Sequence, residues 1–226
     1  MPFLSLLLIA FSLSFQTGAA PKKVVPVGEE PRHHIKFENK YVRVIDAVVA
    51  AGDTTLYHTH SRDNVPIAIE GGSLKIALAG SGQPPAEQTV EVGRTTWAPG
   101  EYTHQITNTG KTRVRFIDAE VVSSPGLKSD TTLTGIAGHT LIFENDRVRA
   151  YRVTLQPGQS TGAHKHGLSF LNVSVSGGDL LVENADKKAT KQKIKPGAFA
   201  WFDGPLTHSV KNGGAAPYEM VDLELK

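Results

Sequence analysis

The 226-residue sequence contains one unit twice, and this duplication limits what the chain can fold into. The tripeptide FEN at residues 37–39 recurs at residues 143–145, an offset of 106 residues. Towards the end of each copy the offset falls to 104, because Trp97 matches Trp201 and Asn108 matches Asn212. Matches in the same order along both copies indicate an internal repeat. We therefore expect a first domain over residues 33–122 and a second over residues 139–226.

The repeated unit has the sequence pattern of β-strands. Residues 41–45, 74–78 and 113–117 alternate apolar with polar residues or are rich in β-branched residues, and no helix-length window has an apolar period of 3.6. Paired glycines at 71–72 and 177–178 lie between apolar runs and predict hairpin turns. Such a unit closes most readily as a two-sheet jelly roll, so we predict an all-β protein of two tandem jelly-roll barrels.

The segments outside the two domains carry a targeting signal and a linker. Residues 3–15 are apolar and uncharged, but they are shorter than the roughly 20 residues of a transmembrane helix. Small residues follow, which predicts a secretory signal peptide over residues 1–19, cut after Ala19, although the usual basic residue before the apolar run is missing. The alternative is a buried N-terminal strand. We expect a secreted or periplasmic chain without stable membrane insertion, an N-terminal extension over residues 20–32 and a linker over residues 123–138.

The composition excludes several kinds of protein. The sequence has no cysteine, which excludes disulfides, thiolate zinc sites, iron–sulfur clusters and a cysteine nucleophile. The formal net charge is only +2, too small for the basic surface of a nucleic-acid-binding protein. We therefore expect a small-molecule ligand or substrate and no nucleic acid, while the sequence leaves homo-oligomerisation open.

Histidines supply the strongest chemical signal. Nine are present, and eight of them form repeat-equivalent pairs. Two His-x-His sequences have the i, i+2 spacing that places both imidazoles on one side of a strand, and a later histidine in each copy can complete a set of three nitrogen ligands. Neutral imidazoles suit Zn, Cu, Fe or Ni, and three protein ligands leave coordination positions open. The predicted metal ligands are His58, His60 and His104 in the first copy and His164, His166 and His208 in the second.

Two further repeat-equivalent histidines, His33 and His139, lie at the start of the opening strand of each copy. We interpret them as structural or exposed residues. Trp97 and Trp201 are also repeat-equivalent, and they either pack in the core or form a pocket wall.

The spacing of these residues resembles the two sequence motifs of the cupin superfamily, and the resemblance covers nearly all of both copies. The first motif, G-x5-H-x-H-x3,4-E-x6-G, is matched at its glycines and histidines, and the second, G-x5-P-x-G-x2-H-x3-N, is matched in part. The matching residues are Gly52, His58, His60, Gly71, Gly93, Pro99, His104 and Asn108, then Gly158, His164, His166, Gly177, Gly197, His208 and Asn212. The resemblance implies a bicupin of the small cupin type, with two jelly-roll barrels that bind a divalent transition metal such as Fe, Cu, Zn, Ni or Mn.

The chain departs from the family pattern at the glutamate ligand, whose positions hold Asn64 and Phe170. Oxalate decarboxylases and most quercetin dioxygenases of the family keep that glutamate, whereas thiol dioxygenases and a β-diketone dioxygenase bind Fe(II) with three histidines. Without an anionic ligand the metal keeps its full +2 charge, which favours an anionic or bidentate oxygen substrate. Asn64 can bind a ligand through its amide, whereas Phe170 can only shape and dry the pocket.

We therefore expect a metal-dependent oxidoreductase, similar to a dioxygenase, that acts on a small organic molecule. The first barrel is favoured as the active one because Asn64 is polar. Two alternatives remain open: a non-catalytic metal or small-ligand binding module, and an isomerase or hydrolase that uses zinc-bound water. The sequence identifies no catalytic side chain.

Overall fold

The computed structural model describes residues 23–185 and 188–226, and their regular structure is almost entirely β-strand. The predicted signal peptide lies outside the described residues. The strands of the first half are β1 (Val24–Pro26), β2 (His33–Glu38), β3 (Val42–Val49), β4 (Tyr57–His60), β5 (Asn64–Glu70), β6 (Gly72–Leu78), β7 (Ala86–Val90), β8 (Tyr102–Asn108) and β9 (Val114–Val121). Those of the second half are β10 (His139–Glu144), β11 (Val148–Leu155), β12 (His164–His166), β13 (Ser169–Ser174), β14 (Gly178–Asn184), β15 (Ala189–Ile194), β16 (Phe199–Phe202), β17 (Leu206–Asn212) and β18 (Tyr218–Leu225).

Each half of the chain forms a barrel of two sheets. The first barrel has one sheet in the order β1-β4-β8-β6-β7 and one in the order β2-β3-β9-β5. The second has sheets in the orders β12-β17-β14-β15 and β10-β11-β18-β13-β16. We call the sheets that contain β3 and β11 the facing sheets, because they pack against each other, and the other two the outer sheets. The predicted all-β tandem barrel is confirmed.

The central strands of the facing sheets are buried on both sides, which explains their apolar sequences. Alternate residues of β3, β5 and β9 pack against alternate residues of β11, β13 and β18 in one shared core. Val44, Ile117, Leu171 and Leu223 in this core are fully buried, and each such side chain contributes about 1.5–3 kcal/mol through burial. Because side chains alternate along a strand, the residues between them point into their own barrel. The facing sheets therefore join the barrels and also line their interiors.

The paired glycines are not at hairpin turns, contrary to the sequence-based prediction. Strand β5 belongs to the facing sheet and β6 to the outer sheet, so the chain crosses between sheets at Gly71. A Cβ atom at this position would overlap the carbonyl oxygen of Val90, so close backbone packing requires the glycine. The same crossing occurs between β13 and β14, at Gly177. Apolar runs on both sides suggested a turn, but the runs belong to different sheets.

The segments outside the two repeats pack closely on the barrels. Strand β1 pairs in parallel with β4, which places the N-terminal extension beside the first His-x-His sequence, and a short 3-10 helix (Val27–Glu29) follows it. In the segment between the repeats, Leu133 is buried and its amide donates a hydrogen bond to the hydroxyl of Tyr151 at 3.3 Å. Within the described ranges, no helix has the length and apolar character needed to cross a membrane.

Candidate metal centre

The strand register brings the predicted histidines together in each barrel. Strands β4 and β8 are antiparallel neighbours in which His58 lies directly opposite His104. Strands β12 and β17 pair His164 with His208 in the same way. Residues opposite each other on antiparallel strands have neighbouring side chains, and the i, i+2 spacing adds the second histidine of each His-x-His sequence to the same face. Histidines more than 40 residues apart in sequence thereby become neighbours.

In the second barrel three imidazole nitrogens converge on one point. The Nε2 atom of His164 lies 3.2 Å from Nε2 of His166 and 3.1 Å from Nε2 of His208. The Nδ1 atom of His164 lies 3.1 Å from the carbonyl oxygen of Gly162, which can only accept a hydrogen bond. Nδ1 therefore carries the proton and the Nε2 lone pair points into the cluster. Two nitrogens each about 2.1 Å from one metal are about 3.0–3.4 Å apart, so the observed spacing fits a shared cation.

The first barrel has a similar cluster. The Nδ1 atom of His58 lies 3.0 Å from the carbonyl oxygen of Leu56, which leaves the lone pair on Nε2, and this atom is 2.8 Å from Nε2 of His104. The His60 ring lies 5.2 Å from both the His58 and the His104 ring, measured between centroids. The structure thus brings together all three predicted ligands of this barrel, on one wall of its interior.

The structure also places His33 in this cluster, which the sequence did not predict. His33 is buried, not exposed, and a ligand nitrogen from each of His33, His58 and His60 lies within 4.8 Å of the other two. Its counterpart His139 has a fully buried side chain, and its ring lies 5.0 Å from that of His164. Their repeat equivalence was a usable signal, because four of the five histidines in the first copy recur in the second.

Buried carboxylates, which sequence reasoning also missed, stand behind the imidazoles. Strand β9 places Asp118 with its Oδ2 atom 3.6 Å from Nδ1 of His60, and β18 places Glu224 with Oε1 3.3 Å from Nδ1 of His166. A carboxylate at Nδ1 orients an imidazole and increases its basicity as a ligand. The i, i+2 acidic pairs at 118 and 120 and at 222 and 224 carried this signal, because that spacing places both carboxylates on one side of a strand.

The two residues at the expected glutamate positions take different roles. The Asn64 side-chain amide donates to Oδ2 of Asp118 at 2.8 Å and lies 3.2 Å from the hydroxyl of Tyr102, so it is held beside His60. Phe170 stacks on His166, with ring centroids 3.8 Å apart, and Tyr102 stacks on His60 at 4.8 Å. An aromatic ring therefore covers the second histidine of each His-x-His sequence, although the two rings come from different positions of the repeat.

The tryptophans lie away from both clusters. Trp97 and Trp201 are half-buried and pack against the core between the facing sheets. The indole N–H of Trp201 donates to Asp203 at 3.0 Å, and the Trp201 ring lies 5.8 Å from Tyr41. Neither lines the cavity beside the histidines of its own barrel. Of the two interpretations offered by the sequence, the structure shows core packing.

Burial keeps the histidines neutral. In the first barrel burial, followed by the neighbouring imidazoles, lowers the pKa of His58 to about 4, of His104 to about 3 and of His60 to about 2. In the second barrel burial lowers the pKa of His164 and His208 to about 4. An imidazole must be neutral to bind a metal, so these clusters keep the ligating form well below neutral pH.

The donors present fit a transition metal. They are buried imidazole nitrogens at metal-ligand spacing, and backbone carbonyls accept hydrogen bonds from the outer nitrogens of His58 and His164. In the second barrel, the Nδ1 atom of His166 and the Nε2 atom of His139 are buried without a hydrogen-bond partner. Imidazole nitrogens suit iron, copper, zinc and nickel, whereas calcium and magnesium prefer oxygen ligands.

Comparison with known proteins agrees with this architecture. No protein-family model matches the sequence, and none of the curated protein sequences compared with it matches. A cupin 2 conserved barrel domain protein from Leptotrichia buccalis matches in structure over 86% of this chain and 88% of its own, with 13% identity and a TM-score of 0.55. Salicylate 1,2-dioxygenase from Pseudaminobacter salicylatoxidans matches over 88% and 78%, with 14% identity and a TM-score of 0.59. An oxalate decarboxylase variant from Bacillus subtilis matches over 85% and 74%, with 12% identity and a TM-score of 0.59.

At these identities structural similarity establishes the fold and not the activity. The chain has the fold of the cupin superfamily, as the sequence motifs implied. Two barrels of this fold follow each other in the chain, with one histidine cluster in each barrel.

The metal-free protein should lose stability as the pH falls from about 6.5 to about 4. Histidines of the unfolded chain are protonated near pH 6.5, whereas His58 and His164 in the folded protein are protonated only near pH 4. Between these pH values the unfolded chain binds more protons than the folded protein, so the free energy of unfolding decreases as the pH falls. Each such histidine removes up to about 1.4 kcal/mol per pH unit from the free energy of unfolding. Urea unfolding of chelator-treated protein between pH 7.5 and 4.5 measures the effect.

The exposed His34 supplies the matched control for this prediction. His34→Ala should follow the wild-type pH dependence, and His58→Ala should give a shallower one. Wild-type unfolding midpoints that stay constant between pH 6.5 and 5 would contradict the prediction.

Proposed function

We propose that the protein is a metal-dependent oxidoreductase of the dioxygenase type that acts on a small organic anion in the first barrel. The main support for the proposal is a set of buried imidazoles beside a cavity in each barrel. In each set one histidine, His58 or His164, has its proton fixed on the outer nitrogen by a backbone carbonyl. His58, His60 and His104 would hold the metal in the first barrel, and His164, His166 and His208 would hold it in the second. When bound, the metal supplies Lewis acidity and access to oxygen chemistry.

The other residues of the first cluster position the ligands. Asn64 is held by Asp118 and places its amide 3.2 Å from Nδ1 of His60, and the stacked Tyr102 ring limits the rotation of His60. Burial raises the pKa of Asp118 to about 6, and burial also raises the pKa of the Tyr102 hydroxyl. These groups therefore orient the imidazoles in a site that excludes bulk water.

The cavity of the first barrel supports a small substrate. Its volume is about 130 Å³, close to the roughly 150 Å³ of a cavity that holds one benzene ring. Ile106 and Phe116 form part of an apolar lining, and His60 and His104 form part of the polar end. A molecule of one ring or less, with a polar group directed at the histidines, fits this lining.

The charge of the cavity supports an anionic substrate. Arg94 lines the cavity and is exposed, and its guanidinium donates a hydrogen bond at 3.4 Å to Gln88, which also lines the cavity, as does Thr96. The repeat-equivalent positions in the second barrel hold Ala198 and Ala200, which line a cavity of about 290 Å³. An arginine and a metal with neutral ligands both attract an anion, and only the first barrel combines them at these positions. We therefore propose the first barrel as the catalytic one.

Metal content and oxygen uptake test the proposed class of reaction. Purified protein loaded with metal should hold two ions per chain, one of which is lost in His60→Ala and one in His166→Ala, as measured by elemental analysis. The Fe(II)- or Cu(II)-loaded protein should consume oxygen in the presence of a member of a panel of small carboxylates. A protein that holds only zinc and consumes no oxygen would favour an isomerase or hydrolase, and one that binds no metal would favour a binding module.

Arg94→Gln tests the proposed substrate class. A hydrogen bond to a charged group contributes about 1.5–3 kcal/mol, so this variant should bind benzoate at least about tenfold more weakly than wild type. Its affinity for the neutral benzyl alcohol should not change. Calorimetric titration of the metal-loaded protein measures both. Lys111→Gln removes an equal charge from an exposed residue outside the cavity lining and is the matched control. Equal benzoate affinity in wild type and Arg94→Gln would contradict the assignment.

We also propose that the chain is exported. The support is the apolar, uncharged segment at residues 3–15, followed by small residues. Full-length protein expressed in a bacterial host should be recovered outside the cytoplasm as a chain that begins at Ala20, measured by intact mass. Ala19→Arg should block this cleavage, because the signal requires a small residue at the cut. Full-length mass retained in the cytoplasm for the wild type would contradict export.

A further inference from the structure

The fourth histidine of the first barrel has the position of a metal ligand. His33 comes from β2 of the facing sheet, whereas His58, His60 and His104 come from the outer sheet. Its ring centroid lies 4.5 Å from that of His58 and 6.4 Å from that of His60. One ligand nitrogen from each of these three residues lies within 4.8 Å of the others. His104 lies outside this group of three, but its Nε2 atom is 2.8 Å from Nε2 of His58, so both sheets direct imidazoles towards His58.

A buried carboxylate fixes the orientation of this ring. The Nδ1 atom of His33 lies 2.7 Å from Oε2 of Glu30, whose side chain is fully buried. Glu30 is itself held by backbone N–H donors, from Arg32 at 2.6 Å and from Leu56 at 3.1 Å. A carboxylate so supplied with donors is charged and accepts a hydrogen bond from the Nδ1–H group of His33, which leaves the lone pair of His33 on Nε2. Metal-binding histidines in proteins are held in the same way.

The second barrel lacks this support. Glu30 corresponds to Ile136, 106 residues later in the sequence. The backbone makes the same turn at both positions. The N–H of His33 donates to the Glu30 carbonyl at 2.9 Å, and the N–H of His139 donates to the Ile136 carbonyl at 3.0 Å. The Nδ1 atom of His139 meets only the carbonyl oxygen of Ala137, at 3.2 Å. Its Nε2 atom is 3.7 Å from Asp222 and has no hydrogen-bond partner. The same backbone turn therefore carries a carboxylate in one barrel and an apolar side chain in the other.

We propose that His33, oriented by Glu30, is a fourth nitrogen ligand of the metal in the first barrel, whereas the second barrel holds its metal with three. The inference rests on the proposed metal-binding function and adds a residue that the sequence motifs do not contain. Four neutral ligands would leave the charge of the cation at +2, which suits an oxygen ligand whose negative charge balances the cation.

The test uses full-length protein in which His164→Ala and His166→Ala have removed the second metal site. Co(II) titration followed by visible absorption measures the affinity of the first site, and X-ray absorption at the cobalt edge counts its nitrogen ligands without any change at position 33. The expected count is four. His33→Ala should bind Co(II) at least tenfold more weakly and show three nitrogens, and the adjacent exposed His34→Ala should match the unsubstituted site.

Two further variants keep the test decisive. His33→Gln retains a polar side chain in case His33→Ala does not fold, and circular dichroism of the metal-free variants monitors the fold. Glu30→Gln keeps a hydrogen-bond acceptor but removes the charge, so it should weaken Co(II) binding less than His33→Ala does. Three nitrogens in the unsubstituted site, with unchanged affinity in a folded His33 variant, would overturn this inference alone. A first site that binds no Co(II) at all would overturn the proposed function as well.

Discussion

The confinement of uncharged imidazoles inside each barrel is the constraint that the surrounding structure satisfies. Nitrogen lone pairs about 3 Å apart repel one another unless a proton or a cation lies between them, and burial removes the water that would otherwise solvate them. The backbone carbonyls of Leu56 and Gly162 hold the rings of His58 and His164 in place, and buried carboxylates lie 3.6 Å from Nδ1 of His60 and 3.3 Å from Nδ1 of His166. His58 and His164 are thus fixed from outside the cluster, and their free nitrogens are directed inwards.

The facing sheets allow this arrangement in a small protein. Their strands place one set of side chains in the core between the barrels and the alternate set in the interior of their own barrel. Ile117 and Asp118 are neighbours in β9 that belong to these two environments. The packing that joins the barrels therefore also fixes the strands that carry the carboxylates and His33. Isolated barrels would leave the apolar side of each facing sheet in water.

The two copies have kept the same histidines and have diverged around them. Ring stacking on the second histidine is retained, but Tyr102 provides it in the first barrel and Phe170 in the second. The first barrel alone has Arg94 at its cavity and Glu30 behind its fourth histidine, where the second has Ala198 and Ile136. A duplicated fold with two histidine clusters can therefore support unequal roles, because the residues around the repeated histidines differ between the barrels.

The repeat and the strand periodicity were sufficient to predict the all-β tandem barrel, because both can be read along the chain. The His-x-His spacing was sufficient to predict that His58 and His104 converge. The sequence could not show that His33 is buried beside these residues, that Asp118 lies behind His60, or that Gly71 marks a crossing between sheets. These facts depend on how two sheets close over each other, which sets distances between residues far apart in sequence. The local sequence pattern determines which side of a strand a side chain occupies. Only the closure of the barrel determines which other side chains it contacts there.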